Sequence, residues 1–428
     1  MSDINLSVVN EKEDIPFISD YKNFDSLGFY PWAVAFKRNA MDTYKRIFNR
    51  KSISPVIWDF IKASKFELEY EKVVPNLKNL LKYKTFDIEA YTIVLVNGKY
   101  INEISDEDDL PFSVYSDGVK NCLIDNPSFL QNRVFVGNDL FVSLNSAYLS
   151  DGIVLKVSKG EKLDKPIHII SLYVSDEKVL FCNPRIVIEL EEGAKLDLLE
   201  SSLSLDGTKF FENKVLQVDL KTGAELNHYR YINNSKDCVS VERDFVECGD
   251  MAKYNMYNCV FKSGIIDTKY NFNVLNNASL NSYTSVYSND VNVEFDAKIS
   301  HIGSSSLSDV RFLGVTDGVG KISFVTSLQT SALLKNIKTN QLSKILLLSD
   351  SAAGVIKPFQ SIYSQNVSAF HGATVSGIKN DDLFFLNTRG ISENDARNII
   401  YKSFLLSAFL SVSDGLVLDE FVKFYWDN

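Results

Sequence analysis

The chain has 428 residues, 45% hydrophobic and 23% charged, with 45 Lys and Arg against 55 Asp and Glu for a net charge of −10. This balance supplies apolar surface for a sizeable core and excludes a disordered, collagenous or coiled-coil chain. The acidic excess argues against nucleic acid as the principal partner, and no apolar run reaches the roughly 20 residues that cross a bilayer, so no membrane span is expected.

Residues 1–130 are expected to form a helical region with a β-hairpin. The start, Met1 to Ile15, is polar and acidic rather than basic and then apolar, which predicts a cytoplasmic protein. Trp32-Ala33-Val34-Ala35-Phe36, followed by Arg38, Lys45 and Arg46, repeats apolar positions at helical spacing. Tyr91 to Val96 reads as a strand that Asn97-Gly98 turns sharply, because both residues tolerate positive φ. Asp106, Glu107, Asp108 and Asp109 read as a solvated loop, since Leu110 sits where a calcium loop needs an oxygen ligand. The five cysteines, Cys122, Cys182, Cys238, Cys248 and Cys259, form no C-x-x-C pair and leave one over, so reduced thiols are expected.

Residues 131–375 change texture to short β-rich runs such as Arg185 to Leu190 and Lys214 to Leu220. An internal echo runs through them: Ala194-Lys195-Leu196-Asp197, Ala224-Glu225-Leu226-Asn227, Ala252-Lys253-Tyr254-Asn255, Ala278-Ser279-Leu280-Asn281 and, weakly, Ser305-Ser306-Leu307-Ser308. Their starts lie 30, 28, 26 and 27 residues apart. A helix-free repeat of this length predicts a mainly β fold in which the chain coils into stacked rungs. The small residue marks one corner, and Leu or Tyr two positions on points inward because strand side chains alternate.

Residues 376–428 return to helix. Asp381 and Asp382 open an apolar stretch that Gly390-Ile391 breaks. Ser392, three residues before Asp395, reads as a capping-box variant ahead of Ala396, Ile399, Ile400, Phe404 and Leu405. A second helix is expected after Gly415, carrying Leu416, Leu418, Phe421, Val422 and Tyr425.

Signatures of catalysis are missing. Gly314 to Lys321 resembles a phosphate loop, but its glycines are one residue too far apart and Ile322 replaces the magnesium-binding hydroxyl. There is no H-E-x-x-H, G-x-S-x-G or G-x-G-x-x-G string in a fitting context. His168, His228 and His301 read as hydrogen-bonded structural residues. His371 differs, preceding Gly372-Ala373-Thr374 at the junction of the β zone and the terminal helices. Glu189, Glu191, Glu192, Asp197 and Glu200 alternate with apolar residues and read as a solvent-facing edge.

The stretch from His371 to Ala396, HGATVSGIKNDDLFFLNTRGISENDA, resembles the carboxy-terminal signature of the SufB/SufD family of the SUF iron–sulfur cluster assembly system. Asn183-Pro184-Arg185 with Glu192-Gly193-Ala194, the strand Asn213 to Leu220 with Gly223-Ala224 and His228, and Gln341 before Leu346-Leu347-Leu348-Ser349 agree in order and spacing. Val96-Asn97-Gly98 with Ile104-Ser105 is similar to the family's amino-terminal region. Gly372 in HGAT, and Leu342 where the SufB type carries a cysteine after the glutamine, are similar to the SufD type. Ala369 and Lys357-Pro358-Phe359-Gln360-Ser361 depart from the family pattern, and its amino-terminal tryptophan-tyrosine-threonine signature is not recognisable.

This resemblance implies a right-handed parallel β-helix between helical ends, acting as a noncatalytic scaffold that pairs through its β-helix with a SufB-like subunit. It implies contact of the terminal helices with the SufC-like ATPase, with Asp382, Phe385, Arg389, Gly390, Ala396 and Ile400 as partner-binding residues. His371 is the family position facing the SufB cysteine, a site for iron or a nascent cluster that the chain alone does not hold stably, with a role in iron entry. Two rival readings are a secreted polysaccharide-active β-helix enzyme and a divergent SufB-type scaffold with a relocated thiol such as Cys259. The first needs a carboxylate or basic cluster on one solenoid face and a secretion signal, and neither is visible.

Overall fold

The computed structural model describes residues 15–18, 21, 30–49, 53–67, 88–106, 109–125, 127–175, 178–205, 207–409 and 419–423. Met1 to Asp14, Glu107, Asp108, Gly415, Leu416, Leu418 and Tyr425, on which some sequence expectations fall, lie outside them.

The expected early helix spans Pro31–Ile47, with proline in the first turn where its missing N–H costs nothing. A second runs Pro55–Ala63. Their apolar faces, including Met41, Tyr44, Ile57 and Trp58, pack with Phe141, Leu144 and Tyr148 of the segment around helix Leu140–Ala147. That last helix interrupts the β-rich zone and was not foreseen, although Asp139 caps it, accepting from the Phe141 and Val142 N–H groups at 2.9 and 3.3 Å.

The strands are β1 (Phe66–Glu67), β2 (Tyr91–Val96), β3 (Lys99–Tyr100), β4 (Val114–Gly118), β5 (Gly152–Val157), β6 (Ile167–Tyr173), β7 (Val179–Cys182), β8 (Arg185–Leu190), β9 (Lys195–Ser204), β10 (Phe210–Leu220) and β11 (Glu225–Asn233). They continue as β12 (Val239–Cys248), β13 (Lys253–Lys262), β14 (Ile265–Val274), β15 (Ser279–Asn289), β16 (Asn292–His301), β17 (Leu307–Asp317), β18 (Lys321–Thr330), β19 (Lys335–Leu347), β20 (Ala353–Ile362) and β21 (Asn366–Gly377). The hairpin β2–β3 forms as expected, with Asn97 and Gly98 at φ 52° and 81°.

From β8 onward consecutive strands belong to opposite sheets. The first sheet has the order β4-β5-β8-β10-β12-β14-β16-β18-β20, and the second β3-β2-β6-β9-β11-β13-β15-β17-β19-β21. From β5 onward neighbours along these two paths run parallel, so the chain shuttles between two faces and climbs one strand per sheet per turn. The result is a mainly β parallel solenoid of about seven turns with flanking helices.

The repeat is the register of the second sheet. Glu225 lies opposite Lys195 and Lys253, and Ser279 opposite Lys253 and Leu307. Ala194, Ala224, Ala252 and Ala278 therefore stack, fully buried, at one corner, with Leu196, Leu226, Tyr254 and Leu280 pointing inward above them. The weak fifth echo is corrected by one residue. Ser306, not Ser305, continues the alanine corner, and Ser308 takes the inward position while Leu307 faces solvent at 44% exposure. Leucine periodicity is lost in that turn because His301 occupies the interior, meeting the Ser306 and Ser308 hydroxyls at 2.7 and 2.9 Å.

On the outside of the same corner the amides form a ladder. Asn227 donates to Asp197 at 2.7 Å, Asn255 to Asn227 at 2.8 Å and Asn281 to Asn255 at 2.8 Å. The outer face of the second sheet carries Tyr229, Tyr257 and Tyr283, covered by Leu405, Ala408, Phe409 and Phe421. Leu405 belongs to helix Glu393–Leu406, which Ser392 caps by accepting from the Asp395 N–H at 3.2 Å. Residues 419–423 are helical, the described part of the last expected helix. Among the described residues no helix is long and apolar enough to cross a membrane.

Candidate functional site

The two ends of the solenoid differ. At one end the sheets finish in short strands paired antiparallel, β3 on β2 and β4 on β5. At the other they finish in β20 and β21, of 10 and 12 residues. Among the described residues nothing pairs with the outer edges of these two strands. Each therefore presents a row of backbone N–H and C=O groups, which in a long edge strand is a template for pairing with another chain. Apolar side chains accompany them: Phe359 is 54% exposed, Tyr363 65% and Phe370 60%.

His371 lies on β21 opposite Gln341 of β19. It extends the inward-facing column His228, Met256, Ser282, Val310 and Gln341, and is exposed because no further turn covers it. Beneath it Gln341 is buried, its Oε1 accepting from Gln360 at 2.9 Å. Next in register, Gly372 lies beside Leu342, whose Cδ1 would be 2.9 Å from any Cβ at 372. Leu342 of β19 and Gly372 of the edge strand β21 are thus direct neighbours. Among the described residues no group of three or more His, Cys, Asp or Glu is arranged to hold a metal ion, so His371 offers a single imidazole.

The terminal helices divide the other sequence-predicted residues. Asp382, Phe385 and Arg389 are exposed on or just after helix Asn380–Thr388, with the Arg389 guanidinium 5.4 Å from the Phe385 ring centre. Gly390, exposed at φ 83°, makes the left-handed turn that separates the helices. Ala396 is fully buried within the chain, and Ile400 packs against the second sheet's outer cluster, so these two side chains orient the helix.

The largest departure from the sequence reading concerns the carboxylates. Glu200 does not face solvent and Glu189 is buried. Glu189 pairs with Arg133 at 2.7 Å, while Glu200 enters the interior, where Lys214 Nζ meets it at 2.6 Å, His228 Nε2 at 3.0 Å and Arg230 Nε at 3.3 Å. Arg230 also binds Glu242 at 2.6 Å and Asp244 at 3.0 Å, and Lys214 binds Glu242 at 3.2 Å. Nearby, Glu212 accepts from Ser240 at 2.5 Å and from the Tyr173 hydroxyl.

Burial works against every charge in this cluster, yet Arg230 and Lys214 hold Glu200 well below the usual carboxylate range. Glu242 is lowered in the same way. For Asp244 burial prevails, and its pKa rises to about 7; Glu212 is also raised by burial. His228 is pushed down by burial, so its neutral ring donates from Nε2 to Glu200 and accepts at Nδ1 from Tyr254. Toward the open end the interior is filled by Phe295, Phe312 and Phe324, with the last two ring centres 5.0 Å apart. The charges tie four strands together. Their sequence signal was spacing: Glu200 and Arg230, like Lys214 and Glu242, stand one repeat apart and are paired in register.

His168 and His301 are buried and hydrogen-bonded, as read from the sequence. All five cysteines are buried.

Two family models match this chain: the SUF system FeS cluster assembly SufBD core domain over residues 173–404, and the SufBD protein N-terminal region over residues 56–169. Among similar curated proteins, the iron–sulfur cluster assembly SufBD family protein slr0076 of Synechocystis is 23% identical over 73% of this chain and 72% of its own length. The iron–sulfur cluster assembly protein SufD of Escherichia coli is 23% identical, covering 74% of each chain. SufB of Bacillus subtilis is 21% identical over 66% of this chain and 62% of its own length.

Proposed function

This chain belongs to the SufBD family, and from that premise we propose that it is a SufD-type scaffold subunit of SUF iron–sulfur cluster assembly in the cytosol, noncatalytic on its own. Its β20 and β21 edges pair with the corresponding end of a SufB-like solenoid, and its terminal helices contact a SufC-like ATPase through the exposed Asp382, Phe385 and Arg389. The observation that carries this reading is the asymmetry of the ends, with long, apolar, unpaired edges at one and short antiparallel strands at the other. Leu342 supports the SufD type, since leucine cannot act as the thiolate acceptor of sulfur. A relocated thiol at Cys259 is disfavoured because burial raises it well above the usual thiol range and away from thiolate. Family membership leaves the polysaccharide-enzyme reading without support.

His371 contributes one iron contact at this interface, the remaining ligands coming from the partner, and thereby assists iron entry. Iron and the nascent cluster are cargo of the complex rather than resident groups of this chain. Affinity capture of the tagged chain from its native cytosol is expected to recover an ABC-type ATPase and a second β-solenoid protein. Recovery of the chain alone would defeat the scaffold reading. In the reconstituted complex, His371→Ala is expected to leave assembly intact and lower iron content and cluster yield. Unchanged yield would remove His371 from the function.

A further inference from the structure

The solenoid changes the sign of its charge at the open end. Its last two turns, Lys321 to Gly377, hold five lysines, no arginine, and Asp350 as the one acidic residue, a net charge of +4. The two turns before them, Ile265 to Asp317, hold three cationic and six acidic residues, a net −3, in a chain that carries −10 as a whole. Lys321 and Lys357 belong to strands of the first sheet, and Lys335, Lys338 and Lys344 to β19 of the second. All are exposed except Lys344, which is half-buried. Among the described residues none of the five forms an ion pair. Of the acidic groups around them, Asp309 of β17 is engaged by Arg311 at 2.5 Å and by Asn340 at 2.7 Å. Glu294 of β16 feels both Lys321 and Lys357. Asp381 and Asp382 lie beyond the last strand, in the first turn of the terminal helix. The edges themselves are almost without charge, since β21 has no Lys, Arg, Asp or Glu in its 12 residues and β20 has Lys357 alone.

We propose that the end of the partner solenoid facing β20 and β21 is acidic, and that the lysines around these edges select it over a second copy of this chain. This rests on the edge pairing proposed above and adds the chemistry of what is paired. Backbone edges are alike in every chain and carry no choice of partner; side-chain charge around them does. Two copies meeting by their open ends would bring +4 against +4, whereas an acidic end is attracted before contact. Charges around an uncharged centre act chiefly on the rate of encounter, and dissolved salt screens them.

The kinetics of the full chain with the SufB-like chain of the same organism, measured from about 50 to 500 mM sodium chloride, test the proposal. The association rate constant is expected to fall at least tenfold over this range, with the dissociation rate changing less than about threefold. Lys338→Glu/Lys357→Glu, with one exposed lysine from each sheet, is expected to lower the low-salt association rate at least tenfold and flatten its salt dependence, with the thermal unfolding midpoint unchanged. Should that variant fail to fold, Lys338→Gln/Lys357→Gln decides, with an expected loss of about threefold. Sedimentation of the chain alone at low salt is expected to show a monomer. An association rate that is level or rises with salt, wild-type rates in the folded lysine variants, self-association as tight as the mixed pairing, or equally tight binding of a short DNA duplex would each overturn the proposal and leave the edge pairing standing. Absence of association at every salt concentration would defeat the edge pairing itself, and this proposal with it.

Discussion

Arg230 is enclosed by Glu200, Glu242 and Asp244 and is itself buried from solvent. Removing a buried charge while its partners remain leaves carboxylates without compensation, a loss of about 3–5 kcal/mol. Arg230→Met is therefore expected to lower the urea midpoint by that amount of stability with little change in slope. Asp244 adds a pH dependence of opposite sign to the usual carboxylate. Its folded pKa, about 7, lies above the unfolded value, so its contribution is full below about pH 4 and is lost as pH rises through 7. Asp244→Asn is expected to flatten the decline in stability between about pH 4 and 7, as read by unfolding at several pH values. An unaltered slope would show that the proton is held elsewhere.

At the level of elements, β20 and β21 stand apart from every strand they resemble. They have the length and parallel register of the inner turns but not the neighbour, and Phe359 and Phe370 point from them into solvent. Placing like charges on both sides of an edge pairing is destabilising, and a charge in an apolar contact loses its hydration. The double variant Phe359→Asp/Phe370→Asp is expected to abolish or weaken at least tenfold the association with a SufB-like partner, measured by sedimentation. The unfolding midpoint of the isolated chain should stay within about 0.5 kcal/mol of wild type, as for surface changes. Association at wild-type strength would remove these strands from the interface.

Across the whole molecule, a solenoid is stabilised turn by turn through nearest neighbours, so a terminal turn with one neighbour opens more readily than an inner one. The inner turns around β9–β13 have both neighbours, the charge cluster and the helix-covered tyrosines. Amide hydrogen exchange is thus expected to be faster in β20 and β21 than in β10–β13, and to slow in β20 and β21 when the partner binds. Slowing in the inner turns alone would point to a different contact surface.

The sequence by itself determined the coiling, the hairpin and the capped terminal helix, because each rests on local chemistry. A small residue recurs where a corner is crowded, Asn97-Gly98 adopts the left-handed turn, and Ser392 satisfies an amide within its own turn. The family signature around His371 was equally legible. Only the tertiary structure decided that Glu200 faces inward. Strand β9 is buried on both faces, through Leu196 and Leu198 in the interior and through Leu199 and Leu203 in the outer cluster, and such a strand has no polar side to reveal its orientation. The same holds for the Ser306 register and for the open end at β21, since each depends on which strand lies next, and neighbours across a turn are set by pairing over the whole solenoid.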